Sequence, residues 1–329
     1  MPNTKKSKAE IEYDNNVKCF LSQKIILAYI LANTVEEFKE MNPKDIVKYI
    51  EDYPVVSRTQ VDAEGQMLED FVSGNETDKI IAGLNTEDSI PNEGVIYYDI
   101  KFVVYAPGSN ETQLIKIIVD VEAQNQFNPG YDIVTRGFFY CSRMISSQKE
   151  REFVHSDYDK IKKVYSIWIC IHSPRYAQNT ITRFEIMQKN MVGIYPPDRS
   201  RYDLMTVVLV CLSDELADRS DDMKLHRLLG AFFSKKLSEK QKKQILEEEY
   251  DIQFRDEKEI ERSVSVMCNV SQGVLEEGIA KGIAKGRAEY RRAYKLLKHG
   301  GCTSVRELVD AGIDLETALD AYQDFSEDF

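Results

Sequence analysis

The sequence predicts an α/β protein in which acidic residues interrupt two of the most apolar strands. Residues 95–105 and 114–124 are strand-like runs, and a connection rich in turn residues predicts that they form a hairpin. A helical pattern follows at 131–149, and the apolar runs 162–171 and 204–212 are typical of central strands. Strands that alternate with helices in this way indicate an α/β domain.

Further elements are predicted on either side of these runs. Residues 19–40 carry apolar side chains at helical spacing, and Asn42-Pro43 begins a second, shorter helix. Residues 181–186 are expected to form a short edge strand. Changes in composition then divide the chain into a disordered N-terminus at 1–16, an α/β domain at 17–215, a helical extension at 216–272, a glycine-repeat basic segment at 273–300 and an acidic helical tail at 301–329.

Composition excludes several classes of protein. A hydrophobic content of 43% and a charged content of 30% are typical of a soluble globular chain. No apolar run reaches the roughly 18 residues of a membrane span, so we expect a cytoplasmic protein with no membrane partner. The 6 cysteines are scattered without a C-x-x-C pair, which argues against zinc. The net charge of −12 argues against tight, non-specific DNA binding, because phosphate contacts need Lys and Arg.

Polar residues on the predicted hairpin indicate a site. Alternation along a strand places Asp120, Glu122 and Gln124 on one face, and Asp99 lies on the neighbouring strand. A carboxylate on a half-buried strand is costly unless it is paired or binds a metal. Oxygen ligands from two adjacent strands suit Mg²⁺ or Mn²⁺. The alternative for Glu122 is a salt bridge with a neighbouring lysine, and we expect Asp120 to be a surface acid.

The arrangement of Asp99 and Glu122-x-Gln124 on paired strands resembles the PD-(D/E)XK nuclease superfamily. In that superfamily a hairpin presents Asp and Glu to a divalent metal, and a Lys two residues after the Glu assists the attacking water. Here Gln124 stands where that Lys would be. Residues 129–148, which follow the motif, resemble the Rpn-type branch, the PD-(D/E)XK nuclease family transposases. The resemblance covers about residues 17–215 and is specific over 95–148.

The resemblance implies a restriction-endonuclease-like αβββαβ core with a mixed sheet, followed by an α-helical C-terminal extension. It implies a Mg²⁺- or Mn²⁺-dependent DNA endonuclease in recombination or mobile-element biology. The residues it points to are Asp99 and Glu122 as metal ligands and catalytic residues, Gln124 as a catalytic residue, and Arg136, Tyr140 and Arg143 as candidate phosphate or DNA contacts. Lys24 and Glu69 are further candidate contributors from the N-terminal region.

Two other functions stay open, because an amide such as that of Gln124 cannot act as a general base. The chain can be a catalytically degenerate member that binds DNA or a protein partner. It can also be a structural or regulatory homo-oligomer that assembles through its C-terminal helices. The glycines at every fourth position within 278–286 fit either a helix face that packs closely against another helix or a linker.

Overall fold

The computed structural model describes residues 8–51, 55–56, 87–90, 94–108, 114–196, 198–298 and 301–327. The helices are α1 (Lys8–Leu21), α2 (Lys24–Thr34), α3 (Pro43–Ile46), α4 (Ile133–Ser146), α5 (Lys224–Phe233), α6 (Glu239–Tyr250), α7 (Lys258–Lys298), α8 (Val305–Asp310) and α9 (Leu315–Glu327). The strands are β1 (Val55–Val56), β2 (Glu87–Ile90), β3 (Gly94–Tyr97), β4 (Ile100–Pro107), β5 (Leu114–Gln124), β6 (Val164–Cys170), β7 (Thr180–Glu185) and β8 (Met205–Cys211).

A mixed sheet forms the centre of the fold, with strand order β1-β4-β5-β6-β8-β7. Strands β4 and β5 form the antiparallel hairpin, β5, β6 and β8 are parallel, and β7 returns antiparallel at the edge. The α/β class, the hairpin, the central strands and the edge strand are therefore confirmed. The first predicted strand is divided, however, because β3 ends at Tyr97 and β4 begins at Ile100. Asp99 lies in this break.

Helices cover both faces of the sheet. Val119 and Val121 of β5 face a core that also contains residues of α2, α5 and α6. Ile118 of β5 and Trp168 of β6 face a second core that is completed by α4. Successive side chains of a strand point to opposite faces of the sheet, and the helices on each side bury both sets. An acid on either face of β5 must therefore find a partner inside the protein.

The predicted disorder of residues 1–16 is wrong for residues 8–16, which form most of α1. The polar residues at the start of this segment suggested disorder, but contacts at its end fix the helix. Val17 and Phe20 are buried, and the side-chain amide of Asn16 donates to the Ser263 carbonyl at 2.9 Å. The continuous helix predicted over 19–40 is interrupted between α1 and α2. Position within the tertiary core, rather than local pattern, orders α1.

Most of the helical extension predicted at 216–272 is part of the first compact unit, which ends at Cys268. Leu228 of α5, Leu246 of α6 and Val264 of α7 are all fully buried in the core that covers one face of the sheet. The extension therefore completes this core instead of forming an appendage. The reason is physical, since the sheet face would expose its apolar side chains without these helices.

Residues 269–329 form a second compact unit. Its small core contains Leu297, Leu308 and Ala321, which come from α7, α8 and α9. The glycine-repeat segment lies within α7, so its backbone is helical. Although α7 is 41 residues long, no helix in the described part of the chain has the length and apolar character needed to cross a bilayer.

Helix α4 packs unusually close to the sheet at Gly137. The helix begins after Asp132, whose Oδ1 accepts a hydrogen bond from the Thr135 amide at 2.8 Å. A Cβ atom on Gly137 would lie 2.6 Å from Val207 Cγ1 and 3.1 Å from Trp168 Nε1. The missing side chain thus lets α4 approach β6 and β8, which brings its polar residues to the carboxyl end of β5.

Gly137→Ala should lower the free energy of unfolding by about 1–3 kcal/mol, because the added methyl group overpacks the interface between α4 and the sheet. Gly230→Ala in α5 is the matched control, since its Cβ would meet only Leu216 Cδ1, at 3.7 Å. That control should be neutral or stabilising by up to about 1 kcal/mol. Urea denaturation of both variants measures the difference, and equal stabilities would contradict the close packing at Gly137.

Candidate functional site

The hairpin register brings Asp99 and Glu122 together. Ile100 pairs with Val121, so the break before β4 lies beside the end of β5. The Asp99 amide donates to Glu122 Oε1 at 2.8 Å, and the Ala123 amide donates to Asp99 Oδ2 at 3.1 Å. Each carboxylate therefore accepts a hydrogen bond from the backbone of the opposite strand. This reciprocal pair fixes the positions of the two acids predicted to be ligands.

Helix α1 supplies a cation that the sequence analysis missed. Lys18 Nζ lies 2.8 Å from Asp99 Oδ1, and the two side chains are only 11% and 19% exposed. The candidate Lys24 instead contacts the Ile50 carbonyl, at 3.4 Å, and Glu69 lies outside the described residues. The sequence signal for Lys18 is its position among Val17, Phe20 and Leu21, which are buried. This signal can be interpreted only when residues 8–21 are known to form a helix, and the sequence analysis began its first helix at residue 19.

Asp120 is not the surface acid that the sequence predicts, since its side chain is fully buried. Its Oδ2 accepts a hydrogen bond from Ser166 Oγ at 3.0 Å, and Trp168 Nε1 donates to the same Oγ at 2.9 Å. Its Oδ1 accepts no hydrogen bond from an N–H or hydroxyl group of the described residues. The prediction failed because β6 and α4, which are distant in sequence, cover this face of β5.

The buried acids have raised pKa values. Burial raises the pKa of Asp120 from 3.8 to about 7. Burial also raises the pKa of Glu122 well above its ordinary value, and the charges of Asp120 and Asp99 raise it further. The carboxyl groups of Asp120 and Glu122 interact directly, so a proton on one of them can hydrogen-bond the other. The two carboxyl groups therefore bind protons more tightly than exposed carboxyl groups do.

A cavity of about 500 Å³ opens beside this cluster. Its lining includes four of the predicted site residues, Asp99, Glu122, Gln124 and Arg136, together with Lys18. Gln124 lies at the rim, where its Nε2 donates to the Gln126 carbonyl at 2.6 Å. The structure therefore brings the predicted acids, the amide and one predicted phosphate contact to the same cavity.

Arg136 presents a fixed positive charge at this cavity. Its guanidinium lies 4.9 Å from the ring centre of Tyr140 and 5.2 Å from those of Tyr131 and Trp168. Its Nε donates to the Tyr140 hydroxyl at 3.1 Å. Tyr140 thus orients Arg136 rather than lining the cavity. Arg143 is only 3% exposed and is not among the lining residues, so the structure does not bring it to the predicted phosphate position.

The chemistry of the cluster fits a divalent cation, although the observed arrangement is not a preformed metal site. The charges of Asp99 and Asp120 both act on the buried carboxyl group of Glu122, and a divalent cation at Asp99 and Glu122 would offset this repulsion. Within the described residues, however, no group of three or more His, Cys, Asp or Glu side chains is arranged to hold a metal ion. In this arrangement Lys18 and two backbone amides contact the carboxylate oxygens of Asp99 and Glu122.

Comparison of the chain with protein-family models, curated proteins and solved structures finds no match. The interpretation of the site therefore depends on its own geometry and chemistry. The PD-(D/E)XK resemblance stays a prediction that is drawn from residues 95–148.

Asp120→Asn should reduce the pH dependence of stability. The folded protein retains a proton on Asp120 that the unfolded chain releases between pH 3.8 and about 7. The free energy of unfolding therefore falls as the pH rises through this window. Between pH 5 and pH 8 the parent should therefore lose more stability than the variant, as measured by urea denaturation without metal. An equal loss in both proteins would contradict the assignment.

Proposed function

We propose that this chain is a metal-dependent DNA endonuclease of the Rpn-type branch of PD-(D/E)XK nuclease family transposases, which acts in recombination or mobile-element biology. The observation that carries the proposal is the reciprocal pair formed by Asp99 and Glu122 at the wall of the cavity. Glu122 on β5 and Asp99 in the break before β4, beside an amide and a guanidinium, provide groups that metal-assisted phosphodiester hydrolysis would use.

The order of elements supports a restriction-endonuclease-like αβββαβ core. Helices α1 and α2 precede strands β1, β4 and β5 of the six-stranded sheet, and α4 and β6 follow them. The acids lie at the carboxyl end of β5, next to the end of the parallel strand β6. In open α/β sheets, ligands bind outside the carboxyl ends of the strands. The position of the cavity agrees with that rule.

Asp99 and Glu122 are the residues that would hold the metal, and Mg²⁺ bound there would neutralise phosphate charge and lower the pKa of a bound water. Arg136 would bind a phosphate oxygen, because its guanidinium is oriented by Tyr140 and faces the cavity. Gln124 would orient the attacking water through its amide. Asp120 and Ser166 lie behind Glu122 and would keep its side chain in place.

A catalytically degenerate member that binds DNA or a protein partner is the second candidate. The ion pair between Lys18 and Asp99 favours it, since that pair occupies an acid which an active enzyme uses for metal. The amide of Gln124 is also engaged by the Gln126 carbonyl. Metal-dependent nicking of a supercoiled plasmid separates the two candidates, because only the nuclease converts the plasmid.

Asp99→Asn and Glu122→Gln should each lower Mg²⁺-dependent plasmid cleavage at least a hundredfold, about 2.7 kcal/mol of transition-state stabilisation. Each change removes a charged ligand but keeps the shape of the side chain. Asp203→Asn is the matched control, because Asp203 is a buried acid that pairs with Lys163 at 2.9 Å, before the amino ends of β6 and β8. Circular dichroism checks folding. Cleavage by either site variant at the parental rate would contradict the assignment.

Gln124→Ala should reduce Mg²⁺-dependent cleavage at least tenfold, about 1.4 kcal/mol, because it removes the amide that orients the water. Gln124→Lys should retain cleavage, since an ammonium group can donate to the same water and attract the phosphate. Initial rates at saturating Mg²⁺ measure both effects. If Gln124→Ala cleaves as fast as the parent, the catalytic set contains only the two acids.

A further inference from the structure

Lys18 occupies the side of Asp99 that a metal ion would need. Of the two oxygens of this carboxylate, Oδ2 accepts the Ala123 amide and Oδ1 contacts Lys18 Nζ at 2.8 Å. An ammonium nitrogen and a divalent cation on the same carboxylate repel each other. Binding of a metal to Asp99 is therefore opposed by the Lys18 ammonium at Oδ1, and it is favoured when that ammonium moves away.

The backbone of α1 keeps Lys18 at this position. Val17 and Phe20, on either side of it, are 1% and 0% exposed and belong to the main core. The side-chain amide of Asn16 also donates a hydrogen bond from α1 to the Ser263 carbonyl of α7. The Cα atom of Lys18 is thus fixed by packing, while its flexible stem can swing the ammonium within the cavity.

The same helix offers the ammonium a second position. Asp14 lies one helical turn before Lys18 and Glu10 lies one turn earlier, and both line the cavity. An ammonium that leaves Asp99 can therefore stay beside acidic side chains inside the cavity of about 500 Å³. The exchange does not force a charged group into an apolar environment, which makes it a feasible step.

We propose that Lys18 is a built-in competitor for the metal ion. In the metal-free protein its ammonium neutralises Asp99, and the metal binds by displacing it towards the α1 acids. Lys18 is thus a positioning residue that sets the metal affinity of the site. This inference rests on the metal site of the proposed function, but it concerns binding of the ion and not cleavage of DNA.

Mn²⁺ binding to the full chain, measured by isothermal titration calorimetry at constant pH and ionic strength, tests the proposal. Lys18→Met removes the competing charge and should bind Mn²⁺ at least tenfold more tightly than the parent. Lys18→Gln, a second variant in case the first does not fold, should do the same. Lys18→Arg keeps the charge and should not bind Mn²⁺ more tightly than the parent.

Lys163→Met is the matched control. Lys163 is also largely buried, at 15% exposure, and pairs with Asp203 and Glu37 away from the cavity. This variant should bind Mn²⁺ with the parental affinity. In an Asp99→Asn background, the gain from Lys18→Met should disappear, since the oxygen for which the two cations compete has lost its charge. A purely structural role for Lys18 would give neither the gain nor its dependence on Asp99.

Weaker or unchanged Mn²⁺ affinity in folded Lys18→Met and Lys18→Gln would overturn the proposal, as would the absence of Mn²⁺ binding in all variants. Plasmid cleavage is measured separately. A parent that binds Mn²⁺ and shows the Lys18 effect, but cleaves no DNA, would leave this inference standing and remove the nuclease. A parent that cleaves DNA without a Lys18 effect on Mn²⁺ affinity would support the nuclease and overturn the inference about Lys18.

Discussion

Two hydrogen bonds between side chains and backbone, one in each direction across the hairpin, determine the geometry of the site. They join Asp99 and Glu122 where the first strand is interrupted. At this interruption the Asp99 amide donates to the side chain of Glu122, the residue opposite it in the hairpin register. Because both acids are fixed by backbone atoms, the neighbouring groups must adapt to their charge. The buried Asp120, the ammonium of Lys18 and the cavity all lie next to this pair.

Patterns that act over a few residues could be predicted from the sequence. Alternation along β5 placed Glu122 and Gln124 on one face, and the apolar runs identified the central strands. Contacts between distant segments could not be predicted in this way. The burial of Asp120 depends on Ser166 and α4, and the role of Lys18 depends on a helix whose polar start suggested disorder. Local propensity cannot report such tertiary contacts.

The site also shows how an acidic protein handles buried negative charge. The whole chain carries a net charge of −12, so bulk charge does not attract a polyanion. Near the acids, however, cations are placed at short range, among them Lys18 from α1 and Arg136 from α4. One is flexible and bound to a carboxylate, and the other is held against aromatic rings. Local placement, rather than total charge, therefore sets the electrostatic character of the cavity.

Trp168 gives the site an optical consequence. It is the chain's only tryptophan, it is fully buried, and its indole N–H is linked through Ser166 to Asp120. The guanidinium of Arg136 lies over the same ring. Indole emission responds to nearby charge and to hydrogen bonding, and all tryptophan emission of the native chain originates beside the acid cluster. The unlabelled protein thus carries its own fluorescent reporter of charge in this cavity.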